Sequence, residues 1–156
     1  MKDIIRGNRE HAVLLEEENY RGYNYYITFN CMGHFCIYVQ VPEEHKDLYT
    51  EKIEDVFYPD DAFKSSQGAE LDEVKGMVYL GYCFNIPDYL PNPDLMLDYI
   101  TMTEANKKDY AYNLRVLKMY QQAKETGEKC VYGRKGAMSQ DKCREICKRA
   151  IDKILE

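Results

Sequence analysis

Cys31-Met32-Gly33-His34-Phe35-Cys36 crowds two thiols and an imidazole into six residues. Thiolate and imidazole are zinc ligands, and a thiolate paired with a histidine is a nucleophile. A closed zinc site needs further ligands, however, and no C-x2-C or H-x3-H pair follows in the sequence. These cysteines are therefore expected to pack as small apolar side chains, and no metal or cofactor is assigned. Cys143 and Cys147 stand four residues apart, which puts them on one helix face and marks them as core thiols. The carboxylate pairs Glu43-Glu44, Asp60-Asp61 and Asp72-Glu73 lie in hydrophilic sequence, without the apolar setting that tunes a general acid. Phosphate-loop, G-x-S-x-G and H-E-x-x-H motifs are absent. The expectation is a protein that is not an enzyme. A thiol- or metal-dependent enzyme using Cys31, His34 and Cys36 stands third among the functional readings.

The elements that must position these residues follow from periodicity. Tyr23, Tyr25, Ile27 and Phe29 alternate with Asn24, Tyr26, Thr28 and Asn30, the pattern of a strand with one buried face. After Cys31-Met32-Gly33, residues His34 to Val41 alternate again, so the two runs predict a β-hairpin. Its inner set is Ile27, Phe29, Ile37 and Val39. Tyr26, His34 and Tyr38 fall on the outer set and are candidate binding residues. Pro42 ends the second strand. Residues 43–75 carry 11 Asp+Glu against 4 Lys+Arg, with turn chemistry at Pro59-Asp60-Asp61 and Ser65-Ser66-Gln67-Gly68. A loop is expected there, with one helical turn near Leu48 to Val56. Residues 76–86 predict a third strand, bent or split at Gly81. Ala12-Val13-Leu14-Leu15, ahead of Glu16-Glu17-Glu18, reads as either a short helix or a strand.

Two amphipathic helices are predicted downstream. Thr101-Met102-Thr103-Glu104 has capping-box spacing, Tyr110, Leu114, Leu117 and Tyr120 recur helically, and Gly127 suits a stop. The second helix starts after Ser139 and buries Cys143, Ile146, Cys147, Ala150, Ile151 and Ile154. The fold class is thus α+β: a small antiparallel sheet, with a hairpin and a third strand, packed on two C-terminal helices. One domain spans residues 1–156, with a β-meander over 20–86 and a helical part over 101–156.

Length and composition agree. A chain of 156 residues, 45% hydrophobic and 31% charged, can bury a core and is neither disordered nor membrane-spanning. The first residues lack an apolar export segment, so a cytosolic setting with free thiols is expected for all six cysteines. Residues 1–103 sum to −11 and residues 104–156 to +5. The positive part lacks the dense basic stripe of a DNA reader, so direct DNA binding is not expected. Arg134 and Lys135, just before a helix start, are candidate anion ligands. Fifteen tyrosines with no tryptophan suit a surface that is both sticky and wet.

Tyr20-Arg21-Gly22-Tyr23, then Met32-Gly33-His34-Phe35-Cys36-Ile37-Tyr38-Val39, then Pro42 with His45, resemble a family of small proteins of phages and prophages of Gram-positive bacteria. The family shows a Y-[KR]-G-Y start and an M-G-H-x-C-x-Y-V strand. The likeness covers residues 20–45, and more loosely 76–86 and 139–155. The family's tryptophans are missing here, and the helix over 101–126 reads as an insertion. The resemblance implies a phage origin and a bacterial host cytosol, with no assigned chemistry. The leading functional expectation is therefore an accessory protein that binds and inhibits a host defence component. The second is a protein that sequesters a small nucleotide signal, with a homo-oligomer providing the pocket.

Overall fold

The computed structural model describes residues 9–57 and 71–156; the N-terminal residues 1–8 and both turn-rich stretches at 59–61 and 65–68 lie outside that set. Four antiparallel strands form a meander in the order β1 (Ala12–Tyr20), β2 (Tyr23–Asn30), β3 (Phe35–Pro42) and β4 (Met77–Cys83). The α+β class stands, with one strand more than expected.

Strand β1 settles the open reading of residues 12–15. It joins β2 through Arg21 and Gly22 alone, both at positive φ, so Tyr20 faces Tyr23 across a two-residue turn. A β-bulge at Leu15 breaks its alternation: Leu14 pairs with Thr28 and Glu16 with Ile27. Val13 and Leu15 therefore point into the core, and Glu16 follows them on the same side. An inward charge on an edge strand also discourages edge-to-edge pairing.

The expected β2–β3 hairpin is present, and its register sets Ile27 opposite Ile37 and Phe29 opposite Phe35. Ile27, Phe29, Ile37 and Val39 are fully buried, each worth about 1.5–3 kcal/mol of transfer free energy. They pack against α4 (Gln140–Ile154), whose buried residues are Cys143, Cys147, Ala150, Ile151 and Ile154. Ser139 caps that helix by accepting from the Lys142 amide.

The connections bring two corrections and one further helix. The expected single turn near Leu48 is a full helix, α1 (Lys46–Phe57), which buries Ile53 and Phe57 and packs on α4. The segment after β4 holds a short helix, α2 (Pro93–Tyr99), with Pro93 in its first turn, where the missing amide costs nothing. The long helix α3 (Glu104–Thr126) is capped by Thr103, not Thr101, because Thr103 accepts from the Asn106 amide. Gly127 ends it in the left-handed conformation, as expected.

Helix α3 departs most from its predicted face. Its buried residues are Asn106, Asn113 and Val116, whereas Leu114 is exposed. Asn106 Nδ2 donates to the Glu10 and Thr101 carbonyls at 2.7 and 2.8 Å. Asn113 Nδ2 donates to the Met32 carbonyl at 2.9 Å. Gly33 faces this junction so closely that a Cβ there would meet Asn113 Nδ2 at 2.7 Å. Helix α3 is thus held to the sheet rim by amide side chains as well as by apolar packing. Among the described residues no helix is long and apolar enough to cross a membrane.

Candidate functional site

The sheet face turned away from α4 carries Tyr26, Tyr38, Tyr79, Cys36 and Cys83, so the predicted parity is right for both tyrosines. Their exposure is not as predicted. Tyr38 is only 1% exposed, and its ring lies across Gly81. Tyr26 is half-buried, edge-on to Tyr79 at 5.5 Å. Tyr79 is itself buried and donates its hydroxyl to the Asp72 carbonyl. Leu71 packs into the same cluster, so the stretch from 71 to β4 covers this face. Burial, with Tyr79 and Glu17 alongside, pushes the Tyr26 phenol up to about 12. The expected open tyrosine platform is a covered second core.

Gly81 explains why β4 is neither bent nor split there. A side chain at 81 would collide with the Tyr38 ring, so glycine marks close approach within a continuous strand.

The cysteines need a further correction. The β3–β4 register sets Cys36 opposite Cys83, with Cα atoms 4.1 Å apart, and the two sulfurs form a disulfide. Free thiols were expected from the lack of an apolar export segment, and strand parity alone does not reveal which residues face each other across strands. Cys31, Cys130, Cys143 and Cys147 are free, as expected. Burial pushes the Cys143 thiol up to about 12 and raises Cys147 well above its ordinary value. Burial, then the Asp109 carboxylate, also raises Cys31. Cys31 is therefore not an activated nucleophile.

His34 is 2% exposed. Burial lowers its imidazole to about 4, against a hydrogen bond to the Phe84 backbone that favours the charged form. Among the described residues its Nδ1 has no hydrogen-bond partner. It is thus a neutral, buried ring rather than a surface ligand. Among the described residues no group of three His, Cys, Asp or Glu could hold a metal ion.

Arg134 and Lys135 sit elsewhere. Arg134 Nη2 contacts Asp88 Oδ1 at 2.9 Å, and Lys135 Nζ lies 3.8 Å from Asp88 Oδ2 and 5.7 Å over the Tyr89 ring. Tyr89 belongs to the helix-side core, so this pair and Tyr26 are on different sides of the sheet. The Lys135 amide donates to the Asp88 carbonyl, and Leu90 donates to Gly136. These two cations secure one chain segment to another.

No family model, curated protein or solved structure gives a significant match to this chain. The site must accordingly be argued from its own geometry.

Surface clefts open at two further places among the described residues. One, of about 500 Å³, opens between β1 and α4 and is lined by Glu16, Tyr20, Tyr25, Arg144 and Lys148. Arg144 grips both carboxylate oxygens of Glu16, its Nη2 at 2.6 Å from Oε1 and its Nε at 2.8 Å from Oε2. Tyr25 donates to Glu16 at 2.6 Å and Gln140 at 3.1 Å. Burial alone would raise this carboxyl, but the hydrogen bonds from Arg144, Tyr25 and Gln140 outweigh it and hold Glu16 at about 2. A carboxylate so stabilised is a poor base and holds no proton at neutral pH. Its role is to join β1 to α4.

The other cleft, of about 570 Å³, follows the C-terminal half of α3 and the turn after it. Met119, Ala123, Cys130, Val131 and Tyr132 line it. Met119 is 50% exposed and Val131 75%. Tyr112, one helical turn-pair before Met119, is exposed and carries the Arg115 guanidinium at 5.8 Å. Sequence reading missed this surface because it sought tyrosines on strands. The i, i+3, i+7 set Tyr112, Arg115 and Met119 was the available signal.

Proposed function

We propose that the protein acts by binding a partner protein, as a phage-encoded accessory factor that occupies and inhibits a component of host defence. The groove beside α3 supports this reading. Exposed Met119 and Val131 share one cleft with Tyr132, and Tyr112 and Arg115 precede Met119 on the same face of α3; Tyr and Arg beside large apolar side chains are what a protein interface uses for its anchors. Helix α3 presents this edge while its other side is bonded to the sheet rim, so the surface is carried on a fixed element. The partner should insert an aliphatic or aromatic side chain between Met119 and Val131.

The nucleotide reading gains no support from the geometry, since the expected aromatic platform is covered and the expected cations are engaged by Asp88.

The test is functional first. In a Gram-positive host that restricts phage growth, expression of the chain should raise plaque counts. Met119→Asp combined with Val131→Asp should abolish that rise without lowering the melting temperature. A photoreactive residue at 131 should then cross-link one host protein, and that purified protein should bind the wild-type chain but not the double variant. Full activity of the double variant, or cross-links only to a second copy of the chain, would overturn the reading.

A further inference from the structure

The covered sheet face holds chemistry that partner binding does not use. The disulfide joins Cys36, 2% exposed on the central strand β3, to Cys83, half-buried on the edge strand β4. The two sulfurs are unequal. Asn30 Nδ2 donates to Cys36 Sγ at 3.6 Å, and the Tyr38 hydroxyl lies 4.0 Å from Cys83 Sγ. Each sulfur has a donor within reach, so exposure decides the polarity: Cys83 is the sulfur open to attack, and the Asn30 amide stabilises the thiolate that leaves at Cys36.

From these contacts we infer that Cys36–Cys83 is a thiol–disulfide exchange site, in which an external dithiol attacks Cys83 and Cys36 leaves. The first thiolate of the dithiol forms a bond to Cys83 Sγ as the Cys36–Cys83 bond breaks, and Cys36 departs as a thiolate beside Asn30. The second thiol of the dithiol then attacks the mixed disulfide and releases Cys83. The external dithiol ends as its disulfide, and its two protons pass to Cys36 and Cys83. Oxidation is the same path reversed. The inference stands apart from the proposed docking surface, because neither sulfur lies in the α3 groove.

The folded full-length chain is equilibrated with graded ratios of reduced to oxidised dithiothreitol, without denaturant. It is then acid-quenched and alkylated, and each cysteine is mapped by mass spectrometry. The expected result is reversible conversion of Cys36 and Cys83 together, with an unchanged far-ultraviolet circular dichroism spectrum. Polarity is read in a Cys31→Ser, Cys130→Ser background with oxidised glutathione. Cys36→Ser should give a mixed disulfide at Cys83, whereas Cys83→Ser should leave Cys36 at least tenfold slower to react. Reduction only in denaturant, or equal reactivity of the two sulfurs, would overturn the assignment.

Discussion

The Tyr38 ring lies against Gly81, so closely that a Cβ added at 81 would sit 2.3 Å from Tyr38 Cδ1. Neither partner can move cheaply, because Tyr38 is buried and Gly81 lies within the β3–β4 ladder. Gly81→Ala should therefore destabilise the protein by about 1–3 kcal/mol through overpacking. Urea unfolding measures this. In a Tyr38→Ala background the same change should cost much less, and equal costs in both backgrounds would refute the contact.

The Glu16–Arg144 pair predicts a pH dependence. The folded carboxyl sits at about 2, below its unfolded value of 4.5, so its contribution is complete above 4.5 and is lost as pH falls through 2. Its side chain is 10% exposed, so screening is modest. Glu16→Gln should cost about 2–3 kcal/mol at pH 6 and almost nothing near pH 2. Unfolding curves of both proteins across that range provide the check.

His34 predicts a second window. Its folded value of about 4 lies below the unfolded 6.5, so the neutral ring favours the fold. That stability is full above 6.5 and is lost as pH falls towards 4, at about 1.4 kcal/mol per pH unit for one proton. His34→Gln should remove this slope while leaving the lower Glu16 window in place. Imidazole nuclear magnetic resonance should show His34 still neutral at pH 5.

The amide anchors of α3 should be separable from the sheet. Asn113→Ala removes the donor to the Met32 carbonyl, and Asn106→Ala removes the donor to two carbonyls. Each should cost about 1–2 kcal/mol. Hydrogen exchange should quicken along α3 while β2 and β3 stay protected; uniform quickening would mean that α3 and the sheet open as one unit.

Much of the fold was legible because periodicity survives wherever one face is uniformly apolar. The β2–β3 hairpin with its buried face and the α4 stripe follow from Ile27, Phe29, Ile37, Val39 and the i, i+4 thiols. Strand β1 was ambiguous because the bulge at Leu15 shifts its phase and the three glutamates that follow disguise a strand whose first acid points inward. Helix α1 was lost in acidic composition, since only Ile53 and Phe57 are buried. The buried side of α3 was misjudged because Asn106 and Asn113 occupy positions expected to be apolar. The candidate site was the least legible part. Parity placed Tyr26 and Tyr38 on the right face, but no local pattern reveals that residues 71–76 fold back over it, or that Cys83 aligns with Cys36.

The meander has a kinetic corollary. Each of its first three strands pairs with its chain neighbour across a short loop, so these hairpins can close on a microsecond scale. Helix α4 closes the largest circuit: Arg144 reaches Glu16 across 128 positions and Arg21 reaches Asp152 across 131. Closing that circuit requires a far longer search, and until it is complete the apolar side of the sheet faces water. Competition between this late docking event and aggregation should set the refolding yield, with dilute protein recovering fully and concentrated protein precipitating.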